Sequence, residues 1–460
     1  MNVLHPIERG VSLRGPLASN AADRDRTFAR AHAGAFAALL GLAVVPFAPA
    51  LFAPFFADDY FHVEAAARLP DSLWRGWILP LDSAGAWWTP PGLAVEYFRP
   101  LVVLSFAVDR LMYGMNAAGY HLTNLLMHAA STFLVWAIAR HILGSRFRAC
   151  ASAALFAVHP CHVQSIAWIS GRTDVLASML YAGAFLLYLQ GRSAGRGSGP
   201  RLVLSMLLFA LALLAKEMAI TLPIVILSDT LLRPDPQRRL RRFLPAAVAA
   251  TLAALYVAVR VAALGPLHAP PFPFAYHLAS PGLVRHLVTA PLLYLADLTL
   301  FVPPDPMVSV PFWTRHPAGL AVLAGVACLA LWDTLRRTAD RRIGAWGVVF
   351  LAATLLPVWT LTVGEHFLYL PSMGYCILLG AKLDGGASAL ASARVRLLRF
   401  ATVGVVLAIS LGRTFLFDGV AYASSRAIDD AKDLLDRAPR ANEPTRAKTV
   451  HVTRRRARVT

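Results

Sequence analysis

Charged side chains are scarce in this sequence. They make up 15% of 460 residues, against 57% hydrophobic, with a mean hydropathy of +0.55. A soluble chain of this length needs far more polar surface, so the composition excludes a soluble globular protein and points to an integral membrane one. Lysine is nearly absent, with four residues, so the net charge of +18 rests on arginine. The arginines stand in short clusters between apolar runs and form no continuous basic stripe, which argues against a nucleic-acid partner. In a membrane protein such clusters mark cytoplasmic loops. Cysteine is equally sparse. Cys150, Cys161, Cys328 and Cys376 are scattered without CxxC or Cys/His spacing, and read as small hydrophobes, not as metal ligands.

What is present is a series of apolar runs with polar interruptions. Arg9, Arg14, Arg24, Arg26 and Arg30 place the basic segment 1–32 in the cytoplasm. The run from Ala33 to Phe56 is too long for a cleaved signal core and reads as a retained first span. It delivers Asp58-Asp59 to the outer side, at the start of a long loop over 57–118. Within that loop five Trp/Tyr residues between Trp74 and Tyr97 suit a membrane interface. The stretch from Phe98 to Met115, interrupted by Arg99, Asp109 and Arg110, suits an amphipathic helix lying on it.

Residues 119–140 return inward. Segments 149–190 and 202–232 are each flanked by arginines at both ends, so each reads as a hairpin with its polar tip outside. The second turns near Lys216-Glu217, and arms of about fifteen residues reach only roughly 22 Å, which leaves the tip inside a protein-lined cavity. A span over 243–263 follows, then a re-entrant or interfacial helix over 286–302. Spans near 317–335, 343–363, 367–383 and 397–417 bring the expected total to about eleven. The fold class is therefore an all-α polytopic membrane protein. Its domains are the basic segment 1–32, a membrane domain over 33–417, and a polar, basic, partly disordered tail over 418–460 with an amphipathic stretch from Ala427 to Leu435.

The charge map uses only cytoplasmic arginines, so the place of the remaining polar groups is a separate result. Asp58, Asp59, Arg99, His121, His159, His162, Arg172, Asp174, Lys216, Glu217, Glu365 and His366 all fall at outward ends. Ionisable groups at such depth are functional candidates by default. Each also has a structural reading. Asp58-Asp59 suits a helix N-cap. Arg172 and Asp174 suit a clasp across a turn, and Lys216 and Glu217 suit mutual neutralisation. His159-x-x-His162 has the spacing of two metal ligands, but Pro160 breaks the helix between them and no third ligand stands at a diagnostic distance.

The motifs in order are Asp58-Asp59-Tyr60, Tyr97-Phe98-Arg99-Pro100-Leu101 and His121-Leu-Thr-Asn124-Leu-Leu-Met-His128. Then follow His159-Pro160-Cys-His162-Val-Gln164 through Trp168-Ile-Ser-Gly171-Arg172-Thr-Asp174, Leu214-Ala-Lys216-Glu217, and Glu365-His366-Phe-Leu-Tyr369-Leu-Pro371-Ser372. Together they resemble the membrane domain of the transmembrane and tetratricopeptide-repeat O-mannosyltransferases, a branch of the GT-C glycosyltransferases, over residues 57–376. The resemblance implies a polytopic enzyme that moves a sugar, typically mannose, from a polyprenyl-phosphate carrier to a protein or glycan acceptor on the non-cytoplasmic side. Three departures stand out. His366 and Phe367 replace the family's Arg or Lys-Tyr after Glu365, Gln164 replaces a Glu, and the C-terminal repeats are missing.

On this reading Asp58 or Asp59 is the catalytic base, and a single base without a second nucleophile suits inversion. Arg172, Lys216, Arg99 and His159 are expected at the donor phosphate. His162, Asp174, Glu217, Glu365, His366, Tyr369, His121 and Asn124 support them, and an apolar groove beside the 202–232 hairpin holds the polyprenyl tail. No cofactor is obligatory, and dependence on a divalent cation stays open. The arginine-rich composition suits a bacterial inner membrane with the active side in the periplasm. Two rival readings remain, a non-catalytic scaffold derived from the same fold and a lipid or solute transporter.

Overall fold

A computed structural model of the chain describes residues 33–68, 77–82, 94–193, 198–233, 240–265, 280–303, 312–313, 315–383, 404–423 and 426. The basic segment 1–32 and the stretch from Ala427 to Leu435 lie outside the described residues. Helix α1 (Ala33–Phe52) tightens to 3-10 geometry from Val45, where Pro46 and Pro49 interrupt the α ladder. Then come α2 (Asp59–Arg68), β1 (Ile78–Asp82), β2 (Ala94–Phe98), α3 (Pro100–Tyr113), α4 (Ala117–Leu143) and α5 (Arg146–Ala157). The short α6 (Val163–Ile166) precedes α7 (Arg172–Ser193), α8 (Ser198–Ala215), α9 (Leu222–Leu232) and α10 (Leu244–Leu264). The series ends with α11 (Leu283–Leu300), α12 (Pro317–Arg337), α13 (Arg341–Leu355), α14 (Tyr369–Lys382) and α15 (Gly404–Ala423).

Local chemistry explains several boundaries. Asn116 caps α4 by accepting from Ala118 N at 3.2 Å, and Asp340 caps α13 by accepting from Arg342 N at 2.8 Å. Gly144 ends α4 in the left-handed conformation at φ 66°. Helices pack closely where glycine removes a side chain. A Cβ on Gly347 would lie 2.3 Å from Leu378 and one on Gly374 2.4 Å from Phe350, so the α13–α14 seam depends on both glycines.

The packing is that of a membrane bundle. Leu111 and Phe52 are 88% and 82% exposed on its flank, while Asn124, His128 and Arg172 are fully buried inside. Nine helices among the described residues are long and apolar enough to cross a membrane. The sequence led to an expectation of about eleven spans. Three of the expected spans are short helices, α5 with 12 residues, α9 with 11 and α14 with 14, whereas α11, expected to be re-entrant, has the length and hydropathy of a span. The segments expected as hairpins fold as α5–α7 and α8–α9, but their arms pack on other helices, α5 and α7 both on α4 and α8 and α9 both on α10; the helix expected in the first loop is α3. The antiparallel pair β1–β2, with Ile78 opposite Phe98 and Pro80 opposite Glu96, was not foreseen. It brings Tyr97 and Arg99 to the start of α3.

One end of the bundle gathers the C-terminal ends of α1 and α8 and the N-terminal ends of α3, α4, α7, α9 and α14. At the other end of α7, Arg192 and Arg233 both pair with the fully buried Asp229 of α9, which also accepts from Tyr188.

Candidate active site

Ala57 sits at φ 48°, a left-handed conformation that costs an alanine energy, and it turns the chain between α1 and α2. The turn sends the two aspartates to different surroundings. Asp59 is buried and engaged. Its Oδ1 accepts from Ser170 N at 2.8 Å and Ser170 Oγ at 2.5 Å, and its Oδ2 accepts from Phe56 N at 2.9 Å. The backbone carbonyl of Asp58 accepts the first bonds of α2, from Phe61 N at 3.1 Å and His62 N at 3.3 Å. The Asp58 side chain does no capping, and its Oδ1 has no hydrogen-bond partner among the described residues. Burial, then the Asp59 charge, push the Asp58 carboxyl up to about 7, with Arg99 pulling the other way. Burial lifts Asp59 to about 7 as well, against the bonds from Ser170 and Phe56. One carboxylate is a strut and the other is free.

The turn that holds Asp59 is itself pinned from α4. Asn124 Nδ2 donates to the carbonyls of Ile166 at 3.4 Å, Trp168 at 3.1 Å and Ile169 at 3.2 Å, while its Oδ1 accepts from Arg172 Nε at 2.8 Å. Arg172 has no exposed side-chain surface. Its guanidinium meets Asp109 Oδ2 at 2.5 Å, Tyr120 O at 2.9 Å and Ser105 O at 3.4 Å, and lies over the Phe106 ring at 4.4 Å. Asp109 in turn accepts from Thr123 at 2.9 Å. Arg172 and Asn124 therefore join α3, α4 and α7 behind the turn that holds Asp59, and the guanidinium presents no surface to a ligand. Gly171 is tied to the same turn, because a Cβ there would lie 2.4 Å from the Gln164 carbonyl oxygen.

The ion pairs differ from those that sequence proximity suggested. Arg172 pairs with Asp109, not with Asp174. Asp174 instead takes Lys216 Nζ on both oxygens, at 2.6 and 2.7 Å. Glu217 turns away from Lys216 and receives Arg99, Nη2 to Oε1 at 2.8 Å and Nε to Oε2 at 3.3 Å. Neighbours at i,i+1 point in different directions around a helical turn, so each finds its partner on another element. Lys216 is buried with Phe367 at 5.1 Å, and burial pulls it below the ordinary lysine range against the Asp174 charge. Burial pushes Glu217 up, but the charge and hydrogen bonds of Arg99 outweigh it and hold the carboxyl at about 2. The Arg99–Glu217 pair is the open one, with Glu217 39% exposed.

The histidines form a packed floor. His159 bonds the Leu298 carbonyl through Nε2 at 3.2 Å, and its Nδ1 accepts from Cys161 N at 3.3 Å, so it caps the turn after Pro160. His162 Nε2 meets Ser372 Oγ at 2.8 Å, and His128 Nδ1 meets the Tyr369 hydroxyl at 2.8 Å. His366 Nδ1 faces Gln164 Oε1 at 3.3 Å. His121 is buried near the start of α4. The His159-x-x-His162 pair makes protein hydrogen bonds, and no group of three His/Cys/Asp/Glu able to hold a metal occurs among the described residues.

Glu365 pairs with Arg413 of α15, which also reaches Asp297 of α11 at 3.4 Å. One turn on, Phe417 packs on Phe56 at 6.0 Å, so α15 closes the side of the site opposite Arg99. The Trp168 indole packs on Phe56 from the turn, at 5.7 Å. Sequence reasoning missed Ser170, Asp109, Asp297 and Arg413 as members of this assembly. A single ionisable residue inside an apolar run was the available signal for Asp297 and Arg413. Ser170 carried none. An apolar crevice of ≈ 190 Å³, lined by Tyr294, Leu298, Leu331, Leu351 and Trp359 among others, lies between α11, α12 and α13.

Comparison with known proteins agrees with this architecture. Residues 103–262 match the family model of the dolichyl-phosphate-mannose-protein mannosyltransferases. Protein O-mannosyl-transferase Tmtc1 of Drosophila melanogaster is 38% identical over 156 residues, 34% of this chain and 17% of that protein. Protein O-mannosyl-transferase TMTC1 of Homo sapiens is 33% identical over 224 residues, 46% of this chain and 25% of that protein. The matched region thus spans a quarter or less of either relative. The apo crystal structure of ArnT from Cupriavidus metallidurans superposes with a TM-score of 0.51 at 16% identity, over 85% of this chain and 76% of that one. That likeness is one of fold, and it agrees with an all-α polytopic architecture. The resemblance to the O-mannosyltransferases read from the motifs is shown as well.

Proposed function

We propose that this chain is a membrane glycosyltransferase that moves a sugar, mannose on the family likeness, from a polyprenyl-phosphate carrier to an acceptor hydroxyl. The observation that carries the reading is the division of labour between the aspartates. Asp59 is fixed by Ser170, and Asp58 keeps a carboxylate oxygen without a partner at the mouth of a bundle of paired charges. A base that must accept a proton in the transition state needs a free, oriented lone pair and a pKa near the working pH.

In the proposed step the acceptor oxygen attacks the anomeric carbon as Asp58 takes its proton. The bond from that carbon to the phosphate oxygen breaks, and the electron pair leaves with the lipid phosphate. Direct displacement inverts the anomeric centre. Arg99 stands at the open edge to meet the leaving phosphate, and Lys216 adds positive charge from beneath. Arg172, expected at the phosphate, here positions the turn that carries Ser170. No step calls for a metal ion or cofactor. The arginine clusters between the apolar runs support a site that faces the periplasm from a bacterial inner membrane.

The proton role sets a pH dependence. Only the carboxylate form of Asp58 acts as base, so transfer rises as pH increases through about 7 and is lost on the acid side. Turnover of a polyprenyl-phosphate sugar by the purified, reconstituted protein across roughly pH 5 to 9 measures this. A flat profile removes Asp58 as the base, and absence of turnover with every polyprenyl-phosphate sugar offered removes the function.

A further inference from the structure

Helix α10 is apolar along its length and carries one charge, Arg260, about a turn before its end. A lone arginine at that depth needs a partner or a ligand. Four other cations at this end of the bundle are matched. Arg99 has Glu217, Arg172 has Asp109, Lys216 has Asp174, and Arg413 has Asp297 and Glu365. Arg260 is half-buried and has no carboxylate partner among the described residues.

A second observation points to the same place. Tyr256 lies one turn earlier on the same face of α10. It is 6% exposed, and its hydroxyl has no hydrogen-bond partner among the described residues. The helix packs against β2, which brings Tyr97 with Arg99 over its ring at 4.3 Å. Tyr97 and Arg99 therefore stand against the helix that carries Tyr256 and Arg260.

We propose that Arg260 and Tyr256, beside Arg99, form the seat of the donor's phosphate. This rests on the glycosyltransferase reading given above and adds the phosphate ligands to it. An unmatched guanidinium supplies net positive charge and a two-pronged donor for phosphate oxygens, which the paired cations do not. The free tyrosine hydroxyl donates to a further oxygen. The exposed apolar face of α10, with Leu244, Val248, Leu255 and Val259, leads from this seat along the flank of the bundle. It suits a phosphate attached to a long hydrocarbon, and a polyprenyl monophosphate has that shape.

The test is binding of polyprenyl monophosphate to the full chain in neutral phosphatidylcholine nanodiscs, with phosphatidylglycerol as the competing anionic lipid. The wild type and Asp58→Asn should bind alike, because the base does not hold the phosphate. Arg260→Ala should weaken binding about 10- to 100-fold and Arg260→Lys less, with unchanged melting temperatures because no ion pair is broken. Tyr256→Phe should weaken it by roughly 3- to 10-fold. Equal binding by Arg260→Ala and the wild type overturns the proposal while leaving the Asp58 reading to its own turnover assay. An equal loss for phosphatidylglycerol and polyprenyl phosphate overturns it in favour of a bilayer-headgroup contact. Failure of the wild type to bind polyprenyl phosphate removes both this seat and the donor class proposed above.

Discussion

Asp58→Asn is expected to lower sugar transfer by about 10²- to 10⁴-fold, the range for loss of a general base, while the protein stays folded in the membrane. Asparagine has the same shape, and the Asp58 oxygen it replaces holds no hydrogen bond. Asp59→Asn is the informative control. An amide oxygen can still accept from Ser170, but the amide NH₂ would then face Phe56 N–H, donor against donor. That substitution should cost roughly 1–3 kcal/mol of stability and reduce transfer less than Asp58→Asn does. Turnover of a polyprenyl-phosphate sugar, paired with thermal melts of each variant, separates the two roles. Near-normal transfer by Asp58→Asn would sink the assignment of the base, and a larger effect at Asp59 would reverse it.

Arg172→Ala should destabilise the protein by about 3–5 kcal/mol, the cost of removing one partner from a buried ion pair. The change strands Asp109 in the interior and frees Asn124, so the turn from Ile166 to Gly171 loses its anchor and Asp59 its clamp. Replacing both partners by apolar residues, Arg172→Met with Asp109→Leu, should recover much of the loss, because no uncompensated charge remains. Melting in detergent and resistance to proteolysis measure the effect. A melting temperature unchanged in Arg172→Ala, with donor binding weakened, would instead make Arg172 a ligand of the donor phosphate.

The two substitutions touch the same assembly from opposite ends. Arg172 and Asn124 fix the turn, the turn's Ser170 fixes Asp59, and the Asp58 Oδ1 is left without a partner among the described residues. The sequence motif Trp168-Ile-Ser-Gly171-Arg172-Thr-Asp174 looked like a basic hairpin tip waiting for a phosphate. Folded, its charges are committed to Asp109 and Lys216, and its smallest polar residue, Ser170, makes the contact nearest the proposed chemistry. The proposed seat for the phosphate moves accordingly to Arg260, a residue that sits in no motif.

The sequence by itself determined the class of the protein. Hydropathy and charge clustering act over a local window, so a membrane bundle and the helix α3 of its first loop were readable from the order of residues. So was the gathering of Asp58, Arg99, Arg172, Lys216 and Glu365 toward one end of the bundle. Only the tertiary structure decided which charge meets which. Arg99 and Glu217 are 118 residues apart, and Lys216 and Asp174 are 42 apart. The partners suggested by sequence, Asp174 for Arg172 and Glu217 for Lys216, face elsewhere. In a low-dielectric interior a buried charge is held by whichever opposite charge the helix faces bring against it, and neighbours along the chain point in different directions. The same physics separates Asp58 from Asp59. Their side chains are identical and adjacent, and only the left-handed turn at Ala57 and the approach of Ser170 leave one bound and the other free.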